Sequence, residues 1–143
     1  MKRVRGAVAL ELALVLPTLM VLLVVVLYYG RLAYHYAIVQ KSMEAGTRYL
    51  SSVPFINIRT SALAQHESNL TQAIVQTELA SLGNTALVAV SCNSAPCNML
   101  SGVTPATISI TVRVDVPNIF PGYGEELLDQ QLHIVRTVRY AGN

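Results

Sequence analysis

The first part of the chain is an almost unbroken run of apolar residues. From residue 7 to residue 30 the polar side chains are Glu11, Thr18 and two tyrosines. A helix of these roughly 24 residues is about 36 Å long, enough to cross a hydrocarbon core of about 30 Å with some tilt. The pattern predicts a membrane-spanning helix. Pro17, which lacks an N–H, is expected to kink or loosen that helix.

The helical periodicity continues past the apolar run. Apolar and small residues recur at spacings of three and four, as on the buried face of an amphipathic helix: Leu32, Tyr36, Val39, Met43, Gly46 and Leu50. We therefore expect one helix from residue 7 to about residue 50, with Pro54 as its stop. We assign residues 7–52 to a transmembrane and spine helix whose second half covers a small sheet.

A second helix and several strands are predicted further along. Residues 61–82 fit a helix with apolar positions at Leu63, Leu70, Ala73, Ile74 and Leu82. Residues 106–116 alternate strictly between apolar and polar side chains, which indicates a strand with one buried face. Residues 86–92 and about 132–140 fit two more strands, the last one after a Pro-Gly turn at 121–124. The expected fold class is α+β, with the two helices packed on an antiparallel sheet of about three strands.

Charge is concentrated at the start of the chain. Lys2, Arg3 and Arg5 supply three of the ten basic side chains before the apolar run begins. This bias places the N-terminus in the cytoplasm and predicts that residues 53–143 form a small exported domain. The remainder of the chain is nearly neutral and has no basic stripe interleaved with aromatics, which excludes nucleic acid as a partner. An ordinary secretory signal is disfavoured, because the apolar run is too long and no small-residue cleavage site follows it.

Glu11 is the anomaly of the apolar run. A carboxylate at the centre of a membrane helix costs roughly 2.5–3.5 kcal/mol even on lenient insertion scales. The segment Arg5-Gly6-Ala7-Val8-Ala9-Leu10-Glu11 resembles the processing site of type IV prepilins. This resemblance implies a leader of residues 1–6 and a cut between Gly6 and Ala7. The new α-amino group at Ala7 could then pair with Glu11 on the same or a neighbouring subunit; the plainer alternative is that Glu11 lies near the headgroups.

The resemblance extends beyond the processing site. Residues 5–17, the dipeptide Gly30-Arg31 and residues 45–49 resemble the TadE-like family of pseudopilins, which serves the tight-adherence (Flp) pilus. It implies a pilin-like fold and a minor pilin or pseudopilin that spans the bacterial inner membrane once or reaches the pilus or cell surface. The implied partners are a prepilin peptidase, other pilins or pseudopilins, inner-membrane assembly proteins and the lipid bilayer. The competing hypothesis is an uncleaved, signal-anchored periplasmic binding or envelope-assembly module.

Two cysteines lie close together in the second half of the chain. Cys92 and Cys97 could close a short disulfide loop if this part of the chain lies in an oxidising compartment. The chain-entropy model gives such a loop about 2 kcal/mol. In a cytosolic setting the two residues would remain free thiols.

The sequence carries no pattern of catalytic or ligand-binding chemistry. His35, His66 and His133 are scattered and are expected at the surface or at interfaces rather than in a catalytic or metal site. An acidic run at residues 125–129 is read as a solvated loop rather than a carboxylate pair. We therefore expect no cofactor, no metal and no enzymatic activity.

Overall fold

The computed structural model describes residues 4–82, 86–100, 102–116 and 130–142. Three helices come first: α1 (Val4–Ser52), α2 (Phe55–Arg59) and α3 (Ser61–Leu79), which continues into a 3₁₀ turn at Ala80–Leu82. Three strands follow: β1 (Leu87–Cys92), β2 (Thr107–Val116) and β3 (Gln130–Arg139), with a 3₁₀ turn at Cys97–Met99 between the first two. The strands form one antiparallel sheet in the order β1-β2-β3, and the predicted α+β fold is confirmed.

The chain divides into two compact units, Met1–Tyr34 and His35–Asn143. The second unit holds the last part of α1, both other helices and the sheet. Its core lies between the helices and one face of β2, where Ile108, Ile110, Val112 and Val114 are fully or almost fully buried. The strict alternation of β2 makes this possible, because its apolar side chains all point to one face of the sheet.

At Gly46, α1 approaches α3 and the sheet closely. A Cβ atom built at this residue would lie 2.5 Å from Val75 Cγ2 and 3.1 Å from Ile110 Cδ1. Carbon atoms that are not bonded prefer separations of about 3.5–4.0 Å. The missing side chain of Gly46 therefore makes room for Val75 of α3 against the backbone of α1.

The buried face of α1 differs from the predicted stripe at Tyr36, and Leu32 at the start of the stripe is only half-buried. Val39, Met43, Gly46 and Leu50 are buried as expected, but Tyr36 is 43% exposed. Its hydroxyl accepts a hydrogen bond from Gln40 Nε2 at the surface, 2.7 Å away. Periodicity identifies the face of a helix, but it does not say how far along that face the covering sheet extends.

The region after α1 contains an element that the sequence pattern did not predict. The short helix α2 follows Pro54 directly, and Asn57 N donates to Pro54 O at 3.0 Å. Pro54 therefore separates two helices rather than ending helical structure. In α3 the buried side chains are Ala64, Glu67, Ser68, Thr71, Val75 and Leu79, whereas the larger apolar residues Leu63 and Leu70 are exposed.

Candidate functional site

The first unit of the chain is a single apolar helix. Its backbone is helical from Val4, through the Gly6–Ala7 bond and past Glu11. Every large apolar side chain from Leu10 to Leu27 is exposed by 41% or more. A helix that is apolar on all sides is stable only when something apolar surrounds it. This part of α1 is long and apolar enough to cross a membrane, with a mean hydropathy of 2.7 in its best window.

Glu11 is exposed on this helix. Among the residues that the structure describes, none forms a hydrogen bond or an ion pair with its carboxylate. A carboxylate surrounded by apolar side chains requires a cation or hydrogen-bond donors when it leaves water. The geometry therefore leaves Glu11 available to a group outside the described part of this chain.

The helix runs through Pro17 without interruption. Proline removes the backbone donor that would bond to the carbonyl four residues earlier. One residue further on, Thr18 Oγ1 donates to Leu14 O at 3.1 Å and supplies a side-chain hydrogen bond to the same region of backbone. The kink expected at Pro17 stays a prediction.

Residues 6–48 match the family model described as TadE-like protein. The N-terminal segment is TadE-like. The resemblance to the TadE-like family inferred from the sequence is thereby confirmed for residues 6–48. No curated protein matches the chain, and no solved structure does either.

The TadE-like segment includes Gly6, Ala7, Glu11 and Pro17 and ends at Arg48. It covers the whole exposed apolar helix and most of the part of α1 that packs against the sheet. The sheet itself lies outside the match. The family match therefore concerns the membrane-anchor candidate and the spine.

Beyond the TadE-like segment, a disulfide joins Cys92 and Cys97, with an S–S distance of 2.05 Å. Both residues are buried. The intervening turn holds Asn93 and Ser94 at positive φ, 51° and 67°. The side-chain oxygen of Asn93 accepts hydrogen bonds from the backbone N–H groups of Ala106 and Thr107, at 2.9 and 3.0 Å. The loop is thus hydrogen-bonded to the start of β2 and closed by the disulfide.

The titratable residues of the second unit do not form a reactive cluster. We expected the histidines at the surface or at interfaces. His66 and His133 are exposed, but the surface position is wrong for His35, which is 5% exposed on the buried face of α1. No group of three or more His, Cys, Asp or Glu side chains among the described residues could hold a metal ion. The acidic run at 125–129 and the turn at 121–124 lie outside the described residues.

The sequence pattern did not predict a polar cluster around Glu67. Glu67 of α3 is buried, and its carboxylate accepts hydrogen bonds from Tyr49 Oη at 2.6 Å and Asn57 Nδ2 at 2.9 Å. These two donors belong to α1 and α2, so the carboxylate links all three helices by hydrogen bonds. The signal in the sequence is weak: polar Glu67, Ser68 and Thr71 follow helical spacing, a pattern that is usually read as a solvated face.

Proposed function

We propose that the chain is a minor pilin or pseudopilin of a tight-adherence type pilus or related secretion system, matured by a prepilin peptidase that cuts between Gly6 and Ala7. The observation that carries this proposal is the TadE-like match, which begins at residue 6 and includes Glu11 within an exposed apolar helix. Processing accounts both for the glycine at residue 6 and for the carboxylate of Glu11, because the cut places a new amino group close to the only carboxylate of the apolar run.

Cleavage would change the electrostatics of Glu11. The new α-ammonium at Ala7 is four residues before Glu11, and residues at this spacing are neighbours on a helix surface. In a low-dielectric environment an ammonium on the same or an adjacent subunit would offset the cost of burying the carboxylate. Subunits would then be favoured in the axial register that brings the two charges together.

The charge distribution and the cysteines support an exported sheet unit. Basic residues precede the apolar helix, which favours a cytoplasmic N-terminus. A disulfide between Cys92 and Cys97 persists in an oxidising compartment such as the periplasm. We therefore propose a single-pass inner-membrane protein, or a pilus or surface component, with residues 53–143 on the periplasmic side. Its partners would be the peptidase, other pilins or pseudopilins and inner-membrane assembly proteins.

Mass spectrometry of the membrane-extracted protein tests the processing step. Coexpression with a prepilin peptidase should remove residues 1–6, so that N-terminal sequencing starts at Ala7. Replacing Gly6 with leucine should prevent the cut, whereas Gly30→Ala on the same helix should leave it unchanged. A chain that retains residues 1–6 in the presence of an active peptidase would contradict the proposal.

An assembly experiment distinguishes the proposed pilin from an uncleaved, signal-anchored binding or envelope-assembly module. The exposed apolar helix alone would fit such an anchor equally well. Glu11→Gln should impair co-assembly with the other pilins in crosslinking experiments, while Glu44→Gln, which removes a negative charge from the same helix nearer its C-terminal end, should not. If both variants assemble like the native chain, the simple anchor is the better description.

A further inference from the structure

Three tyrosines surround the helix α1 where its apolar run ends. Tyr28, Tyr29 and Tyr34 lie within about 9 Å of one another along the helix axis. Since each residue turns the helix by about 100°, these three positions lie on different sides of the helix rather than on one face. Tyr29 and Tyr34 are 63% and 62% exposed, and the rings of Tyr28 and Tyr29 meet edge-on at 5.6 Å. We call these three residues the tyrosine belt.

The tyrosine belt follows a segment that is exposed on all its sides. A helix that packs on protein buries one apolar stripe, but the large apolar side chains from Leu10 to Leu27 are exposed around the whole helix. Tyrosine combines an apolar ring with a polar hydroxyl and is therefore enriched where hydrocarbon meets water. An all-apolar helix that ends in a ring of tyrosines has the composition of a bilayer span and its boundary.

The length of the uncharged segment matches the thickness of a bilayer. Residues 12–30 carry no charged side chain, and Glu11 and Arg31 bound them on either side. The helix is continuous between these two residues, and at 1.5 Å per residue they are about 30 Å apart, the thickness of a hydrocarbon core. With Tyr29 at one edge of the core, Glu11 lies about 25–27 Å away, depending on tilt. Glu11 is then about 3–5 Å inside the opposite edge.

Two further distances agree with this depth. The tyrosine belt is about 9 Å long, comparable with the layer of roughly 5–8 Å that separates the hydrocarbon core from bulk water. Ala7 precedes Glu11 by about 6 Å along the helix, so its backbone lies at the level of the headgroups on the opposite side. A charge close to the edge of the core costs less than one at its centre. Of the two positions considered for Glu11, the distances favour the one near the headgroups.

We propose that the tyrosine belt binds the headgroup region of a phospholipid bilayer and fixes the depth of α1, with Glu11 at the opposite edge of the hydrocarbon core. A bilayer is the occupant that fits, because lipid contacts a helix on every side, whereas one neighbouring helix covers one side. The inference rests on the membrane-spanning helix of the proposed function. It does not require cleavage between Gly6 and Ala7.

Tryptophan fluorescence of the full chain in lipid vesicles measures these depths. The chain has no tryptophan, so each single replacement introduces one probe. The vesicles contain phosphatidylcholine and phosphatidylglycerol with bromine, a quencher, either near the headgroup or near the end of the acyl chain. Shallow bromine should quench Tyr29→Trp and Leu10→Trp at least about twofold more strongly than deep bromine, because both probes lie near an edge of the core. Leu19→Trp, midway between them, should show the opposite preference.

Each other result has a distinct meaning. Stronger quenching of Leu10→Trp by deep bromine would place Glu11 near the centre of the bilayer and overturn the proposal. Quenching of Tyr29→Trp that falls as the protein-to-lipid ratio rises would assign the belt to a second copy and also overturn it. If neither lipid quenches Leu19→Trp, the helix does not span the bilayer at all. Failure of the proposed processing is read separately, from an N-terminus that retains residues 1–6.

A double variant tests whether the belt itself sets the depth. Replacing Tyr29 and Tyr34 with leucine lengthens the apolar run, so α1 should slide until residue 10 leaves the hydrocarbon core. Total bromine quenching of the Leu10→Trp probe should then fall about twofold. Tyr36→Leu is the matched control, because Tyr36 lies about 10 Å beyond Tyr29, outside the headgroup layer, and its loss should leave the quenching unchanged. Undiminished quenching in the double variant, or an equal fall in the control, would refute the proposed belt.

Discussion

Replacing Gly46 with alanine should destabilise the sheet unit, even though alanine favours helices. The added Cβ would lie 2.5 Å from Val75 Cγ2, so one of the two groups must move by about 1 Å to reach ordinary contact. Val75 is fully buried, and a valine on a helix has one strongly preferred rotamer, so rotation offers little relief. Ile110 blocks the other direction at 3.1 Å.

The expected magnitude follows from two opposing terms. Overpacking a well-packed core costs about 1–3 kcal/mol, and Gly→Ala within a helix contributes about 0.8–1.0 kcal/mol in the other direction. Taking the middle of each range, the net loss in the free energy of unfolding should be about 1 kcal/mol. Gly30→Ala is the matched control, because a Cβ at Gly30 has no atom within 4 Å. That variant should not lose stability.

Urea unfolding of the full chain in detergent micelles, followed by the near-ultraviolet circular dichroism of its tyrosines, measures the difference. In a double-mutant cycle, Val75→Ala removes Cγ2 and should abolish most of the penalty of Gly46→Ala. The reasoning is refuted if Gly46→Ala unfolds at the same urea concentration as the native chain. It is also refuted if the penalty is unchanged in the Val75→Ala background, since the clash would then not be its cause.

Three further outcomes are expected in the same unfolding assay. Glu67→Ala leaves two partly buried donors without an acceptor and should cost about 1–3 kcal/mol, with a smaller loss when both donors are also removed. Replacing Cys92 and Cys97 with alanine should cost about 2 kcal/mol, and a reductant should lower the stability of the native chain but not of this variant. Tyr140→Phe loses the hydrogen bond to Val53 O and should cost about 0.5–1.5 kcal/mol. Because burial raises the pKa of Tyr140 above its ordinary 10.0, its contribution is complete below that pH and is lost as pH rises through the folded-state pKa, a dependence that the phenylalanine variant should lack.

Some features of the candidate site involve residues close together in sequence, and these could be predicted without a structure. The spacing of Gly6, Ala7 and Glu11 predicts the proposed processing site, and the short loop between Cys92 and Cys97 indicates a disulfide. Both depend on residues no more than a few positions apart. The Glu67 cluster could not be read in this way, because its donors come from two other helices and are 18 and 10 residues away.

In α3, hydrophobicity alone does not identify the buried residues. Leu63 and Leu70 are the obvious core candidates by hydrophobicity, yet they are exposed while Ser68 and Thr71 are buried. At Gly46 the β-branched side chains of Val75 and Thr71 fit against α1, and the carboxylate of Glu67 needs donors on that same side. Steric fit and hydrogen bonding between distant segments thus decided the orientation of α3 against its simple apolar pattern.

The sequence by itself determined the apolar helix of the TadE-like segment, the alternation of β2 and the overall α+β class. These follow from hydrophobic length and from periods of 3.6 and two residues, which are local properties of the chain. Only the tertiary structure decided which face of α3 meets α1, that His35 is buried, and that β3 pairs with β2 at the end of the sheet. Each of these depends on the register between segments far apart in the chain, and local periodicity does not specify that register.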